Sequence, residues 1–184
     1  MPLPNEEGRY TFADLCAWDD DERWELVDGI AYLMAAPSVR HQGISGELAW
    51  QLGNFLDGKP CKVYAAVGVR LNWDTTDDTV FIPDLVVVCD RSKIVEDSIK
   101  GAPDLVIEIL SPSTERYDKF IKLLQYEKAG VRECWVVDPV SKTVNTNILV
   151  NGLYNTMRTY LPSATIPVSV LEGCEIDLER VFAE

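Results

Sequence analysis

With 184 residues, 47% of them hydrophobic and 26% charged, the chain is long enough for one buried core and short for two. Thirty acidic residues against 17 basic ones give a net charge of −13, which excludes a surface coated with the lysines and arginines that supply non-specific nucleic-acid affinity. The opening MPLPNEEGRYTF has no apolar signal segment and no window approaches a membrane span, so a cytoplasmic location is expected.

Thr11, with Asp14 three residues on, forms a capping signal for a short helix over 12–19. WELV and IAYLM, joined by Asp28-Gly29, predict a hairpin across 24–34. Ser38 then caps a helix reaching 56, in which Ile44, Leu48, Leu52 and Phe55 recur at three- and four-residue spacing. Asp57-Gly58 and Pro60 end it. Three strands follow over 62–71, 82–89 and 105–110, with the polar loop DRSKIVEDSIKGA between the last two. A second helix starts at Ser113 or Thr114, runs through YDKFIKLLQYEKA and stops at Gly130. ECWVVDP reads as a buried strand, and TVNTNILV and LYNTMRTY flank Asn151-Gly152 as a second hairpin. EIDLERVF adds a final helical turn or two. No stretch has the composition of a linker, so residues 1–184 are expected to form one α/β domain.

The five cysteines (Cys16, Cys61, Cys89, Cys134, Cys174) are odd in number and widely spaced, with no CxxC, and the chain has one histidine. That pattern argues against zinc and reads as reduced core thiols.

Two similar segments concentrate the chemistry: Pro83-Asp84-Leu85-Val86-Val87-Val88 and Pro103-Asp104-Leu105-Val106-Ile107-Glu108. Side chains alternate across a strand, so Asp84 shares a face with Val86 and Val88, and Glu108 shares one with Val106 and Asp104. If the strands pair antiparallel with Asp84 opposite Glu108, the two carboxylates lie within about 5 Å at Cβ. Like charges so placed are destabilising unless a hard divalent cation lies between them. The other reading is a different register, with each acid a solvated strand-end residue. That reading is weak for Glu108, because an unpaired carboxylate inside LVIEIL is expensive. Asp104 lies about 13 Å along the strand from Glu108, too far for the same ion, and reads as a strand-opening residue.

At these residues the chain resembles the Uma-two family of the PD-(D/E)xK, restriction-endonuclease-like nuclease superfamily. The likeness runs from WELVDG through PDLVVV, PDLVIEILSPST and YDKFIKLLQYEKAGV to GVRECWVVDP. It implies an α-β-β-β-α-β core over about 38–138, a mixed central sheet flanked by helices. The N-terminal helix and hairpin and the C-terminal hairpin would be extensions. It also implies Mg²⁺- or Mn²⁺-dependent hydrolysis of nucleic acid, DNA foremost, with Asp84, Glu108 and the Ile109 carbonyl as metal ligands. In the simplest form of the motif a lysine stands two residues after the second acid, where this chain has Leu110. The resemblance moves that role to Lys122 on the following helix, with Lys119 as the alternative lysine. Asp118, Lys122 and Tyr126 share one helical face, and Ile121 and Leu124 are expected to reach the core. On the residues alone, Asp118 and Lys122 are equally an exposed ion pair worth little.

Glu25, inside WELV, matches a family position and is a candidate third acid or the partner of a buried group. His41, in a first helical turn, is a capping or packing residue that also matches a family position. Arg116 and Lys119 are expected at the flanking phosphates. Cutting both strands calls for two sites, which is compatible with a homodimer. Net charge and the displaced lysine favour the other reading, a catalytically silent interaction module on the nuclease fold. A serine hydrolase has no support, since GxSxG is absent.

Overall fold

Left-handed backbone at Asp28 (φ 48°) and Gly29 (φ 80°) closes the first hairpin, joining β1 (Trp24–Val27) to β2 (Ile30–Leu33) in the mirror-image turn that suits strand twist. The computed structural model describes residues 8–18, 22–111 and 121–183. Ahead of the hairpin, the Thr11 amide and hydroxyl both donate to Asp14 Oδ2 at 2.8 Å, opening α1 (Phe12–Cys16). This helix stops earlier than the expected 12–19. Ser38 Oγ accepts from the His41 amide at 3.2 Å and starts α2 (Val39–Leu56). Ile44, Leu48, Leu52 and Leu56 form its buried stripe, while Phe55 is half-buried.

Six strands make the central sheet, in the order β11-β10-β9-β8-β6-β3. β3 (Lys62–Ala65) is one edge and β11 (Leu153–Tyr160) the other, with β6 (Leu85–Val88), β8 (Leu105–Ile109), β9 (Glu133–Asp138) and β10 (Thr143–Val150) between them. β8 and β9 run parallel and the other neighbours antiparallel. Helix α3 (Leu123–Ala129) makes the crossover between the parallel pair and ends at Gly130, left-handed at φ 88°. The result is the expected α-β-β-β-α-β order, a mixed α/β core of the restriction-endonuclease-like kind. Leu85 and Val87 of β6, with Leu105, Ile107 and Ile109 of β8, pack under α2 on one face. Val86, Val88 and Val106 face the other way, toward Tyr126 of α3.

That second face is covered by more than helix. A smaller sheet lies there, in the order β2-β1-β5-β4-β7, with β4 (Val69–Arg70), β5 (Val80–Phe81) and β7 (Ile99–Lys100). The single strand expected over 62–71 therefore breaks in two. Ala66 takes φ 51° and its amide bonds Asp84 O, turning the chain from the central sheet into the smaller one. The strand expected over 82–89 starts late because Pro83 has no amide to give a ladder. The loop between the last two expected strands holds a 3-10 turn (Arg91–Lys93) and β7.

β10 (Thr143–Val150) and β11 (Leu153–Tyr160) form the second expected hairpin about Asn151 (φ 54°) and Gly152 (φ 83°). After it come a short pair, β12 (Thr165–Pro167) and β13 (Glu175–Asp177), and α4 (Leu178–Val181), which packs near α2. Cys134 and Cys174 are buried thiols as expected, but Cys16 is exposed and Cys61 and Cys89 form a disulfide. Their expectation as free thiols fails because the Lys62↔Val88 register brings the next residue of each strand face to face. A cytoplasmic setting does not favour such a link. Among the described residues no helix is long and apolar enough to cross a membrane.

Leu48, with no exposed surface, meets the central sheet through the core, whereas Val39 on the same helix is 91% exposed. Leu48→Ala is expected to cost about 2–5 kcal/mol in urea unfolding, and Val39→Ala less than about 0.5 kcal/mol. Equal losses would mean that α2 is not seated on the sheet through this stripe.

Candidate active site

The likeness between the two PD segments has a structural cause. β6 and β8 pair with Leu85↔Ile107, Val86↔Val106 and Val87↔Leu105, a register that, carried one residue outward, sets Asp84 opposite Glu108. Each aspartate sits just before its strand and accepts an amide at the far end of the other, from the last residue of β8 or from the residue after β6. Asp84 Oδ2 takes the Ile109 amide at 2.7 Å, and Asp104 Oδ2 takes the Cys89 amide at 2.7 Å. The antiparallel pair is thus capped at both ends by the same device.

The ends differ in what meets the second oxygen. Asp104 Oδ1 pairs with Arg132 Nη1 at 2.8 Å on an open surface, which fits a strand-opening role. Asp84 Oδ1 faces His41 Nε2 at 3.2 Å, at the start of α2. Asp84, His41, Glu108, Ile109 and Lys122 line one cavity, with Arg23 and Ser111 at its edge.

Behind Glu108 lies a buried ion cluster. Lys122 Nζ donates to Glu25 Oε1 at 2.8 Å and to Glu108 Oε1 at 3.2 Å. Glu25 and Lys122 are 0% and 1% exposed, and Glu108 4%. Glu25 Oε1 also accepts the Ile82 amide at 2.8 Å, and Tyr126 donates its hydroxyl to Glu108 Oε1 at 2.5 Å. Burial first, then the charges of Glu108 and Glu25, hold the Tyr126 phenol well above its usual range, so it remains a protonated donor. Cys134 behind the site is likewise pushed up by burial and then by Glu108, which leaves it an unreactive thiol.

The local sequence explains how α3 delivers these groups. Ile121 and Lys122 belong to a π-helical turn, a wider turn common at functional sites. Lys122 and Tyr126, four apart, then point inward together. Ile121 and Leu124 therefore face out, 39% and 65% exposed, against the expectation that they reach the core. An apolar pair at those positions masks a helix whose inner face is a lysine and a tyrosine. The exposed-pair reading of Lys122 is excluded by its burial; Asp118, Arg116 and Lys119 lie outside the described residues. Tyr126 carried no expected role, although its spacing from Lys122 was a usable signal. Arg23 and Ser111 carried none.

Among the described residues no three His, Cys, Asp or Glu side chains gather into a metal cage. Two carboxylates and a backbone carbonyl fit a different kind of ion. Mg²⁺ is commonly bound by one or two carboxylates and keeps several waters for itself. Glu25, Glu108 and Asp84 also outnumber Lys122 in carboxylate charge, so one added cation is electrostatically welcome.

Comparison with known proteins agrees with this architecture. A family model described as "Uma2: Putative restriction endonuclease" matches residues 10–179. An uncharacterized protein of Synechocystis is 33% identical over 111 residues, 59% of this chain and 57% of that protein, so the match spans little more than half of the relative's length. A crystal structure from Anabaena variabilis, described as a "putative nuclease belonging to DUF820", superposes with a TM-score of 0.76. It covers 92% of this chain and 94% of that one at 19% identity, a likeness of fold.

Removing Lys122 leaves two carboxylates buried without their cation. Lys122→Met is expected to destabilise the protein at neutral pH by about 3–5 kcal/mol, measured by urea unfolding. Adding Glu25→Gln to that variant should recover part of the loss. Tyr126→Phe should cost about 1.5–3 kcal/mol. A Lys122→Met variant as stable as wild type would mean that the lysine is not buried between the acids.

Proposed function

The chain belongs to the Uma2 family of restriction-endonuclease-like proteins, and on that footing we propose that it is a divalent-metal-dependent endonuclease that hydrolyses phosphodiester bonds of nucleic acid, DNA foremost. The carrying observation is that Asp84 and Glu108 line one cavity from adjacent strands with Lys122 bonded to Glu108.

In this reading the Asp84 and Glu108 carboxylates and the Ile109 carbonyl would hold one or two Mg²⁺ or Mn²⁺ ions. Such an ion, when bound, activates water and offsets the charge of the phosphate. Lys122, whose ammonium Glu25 fixes from the far side, orients the attacking water or steadies the phosphate as a point charge. Hydrolysis places the hydroxyl on phosphorus, breaks the P–O bond and leaves the departing oxygen protonated. Glu25 acts as a positioning residue through Lys122, and Tyr126 as one through Glu108. His41 steadies Asp84 through Oδ1. Arg116 and Lys119 precede Lys122 in the chain and are assigned to the flanking phosphates. A homodimer would present one such site to each strand of a duplex.

Net charge favours the second reading, a nuclease-fold module without catalysis. Two measurements separate the readings. Wild type should cleave single- or double-stranded DNA only with Mg²⁺ or Mn²⁺, and Asp84→Ala and Glu108→Ala should each lose at least about 100-fold. Equal activity in all three would place the chemistry elsewhere. Calorimetric titration should find Mg²⁺ or Mn²⁺ binding that Glu108→Ala abolishes, and no binding by wild type would establish the module instead.

A further inference from the structure

Toward the C-terminal end of α3 from the buried ion cluster lies a second cavity, of about 350 Å³, between the smaller sheet and the helix. Its walls include Trp73, Gly101, Gln125 and Lys128. The volume is within the range of small-molecule sites. Trp73 is 43% exposed, so the core gains little from it, yet the loop that carries it is heavily braced. Asn72 accepts the Thr79 amide at 3.0 Å and donates to Thr76 Oγ1 at 2.8 Å and Asp78 Oδ1 at 2.7 Å. Its carbonyl accepts the amides of Thr75 and Asp77, both at 3.1 Å. The loop that carries the indole is thus set before any ligand arrives.

Cationic groups stand around it. Lys100 Nζ lies 4.9 Å from the indole ring centre, and exposed Lys128 forms part of the opposite, helical wall. Among the described residues Asp74 is the one acid on the lining. Gly101, at φ 74°, keeps the wall beside the indole bare; a side chain there would meet Trp73 Nε1 at 3.5 Å from its Cβ, and the backbone would be strained. Lys100 and Lys128 thus bring two cations to a half-exposed tryptophan whose own loop also carries Asp74, Asp77 and Asp78.

We propose that this cavity binds one nucleotide of a single-stranded segment, the base stacking on Trp73 and the neighbouring phosphates meeting Lys100 and Lys128. Aromatic stacking with flanking cations is how single strands are held without base readout. Lys128 lies six residues beyond Lys122, about 9 Å along the helix. That is the scale of one to two nucleotides, so a strand held here passes toward the site in which Lys122 lies. The proposal rests on the nuclease reading and deepens it: the substrate class is nucleic acid with an unpaired stretch near the cut.

The test uses full-length protein and a fluorescent 12-nucleotide oligo-dT, with EDTA present so that nothing is cut. Anisotropy should show binding by wild type, weakened about tenfold or more in Trp73→Ala and largely kept in Trp73→Phe. Lys128→Ala should weaken binding and flatten its salt dependence by about 0.7 in the log–log slope. Thymidine monophosphate should compete weakly and a blunt duplex poorly. If Trp73→Ala fails to fold, Lys128→Ala still reads the site, and wild-type affinity with an unchanged salt slope in that variant would overturn the proposal. So would an oligonucleotide that wild type does not bind, or one that folded Trp73→Ala binds equally well. Metal-dependent cleavage of duplex by Trp73→Ala at the wild-type rate, beside unchanged oligo-dT binding, would remove this subsite and leave the nuclease reading intact.

Discussion

An ammonium group buried between two carboxylates is the constraint on which the rest of this structure depends. Glu25, Glu108 and Lys122 come from the N-terminal hairpin, the central sheet and the crossover helix, and each would be costly in the interior without the others. Desolvating three charges is not an economical way to hold a fold together, and well-packed apolar side chains would do as well or better. The arrangement makes sense as a means of fixing one lysine against one glutamate at the floor of a cavity. Tyr126 and the Ile82 amide take part of the remaining hydrogen-bonding capacity, which is what makes such a cluster tolerable.

The same cluster couples the two sheets. β1 belongs to the smaller sheet and β8 to the central one, so Lys122 ties them through side chains where no backbone ladder joins them. On the opposite face α2 packs mainly through Ile44, Leu48, Leu52 and Leu56, and among the described residues it reaches the cavity through His41 at its first turn. One face therefore supplies apolar packing and the other carries the buried polar cluster, with Asp84 and Glu108 projecting to that face by strand parity.

Charge runs against function over most of the surface and with it at a few places. A net −13 repels a polyanion at long range, and local positive charge has to act at short range. Under the proposed function a cation between the carboxylates would suit that situation, since it would bring positive charge to the place where the phosphate sits.

Much of this was legible in the residues. Asp28-Gly29 and Asn151-Gly152 determine two hairpins, because few other dipeptides enter the left-handed region twice in succession. Ser38 and a three-four apolar spacing determine α2, and alternation along each PDLV run sets which residues share a face with Asp84 and which with Glu108. Those features are local, so a short window contains them. The strand register that brings Asp84 and Glu108 together is tertiary. What only tertiary structure decided is non-local. The segment 62–71 divides between two sheets, Cys61 meets Cys89, and Lys122 turns inward with Tyr126 while Ile121 and Leu124 turn out. The partners of Lys122 lie 14 and 97 residues away, and no periodicity of its own helix encodes them. A lysine is buried only when distant acids repay its desolvation, and their meeting is a property of the assembled sheets.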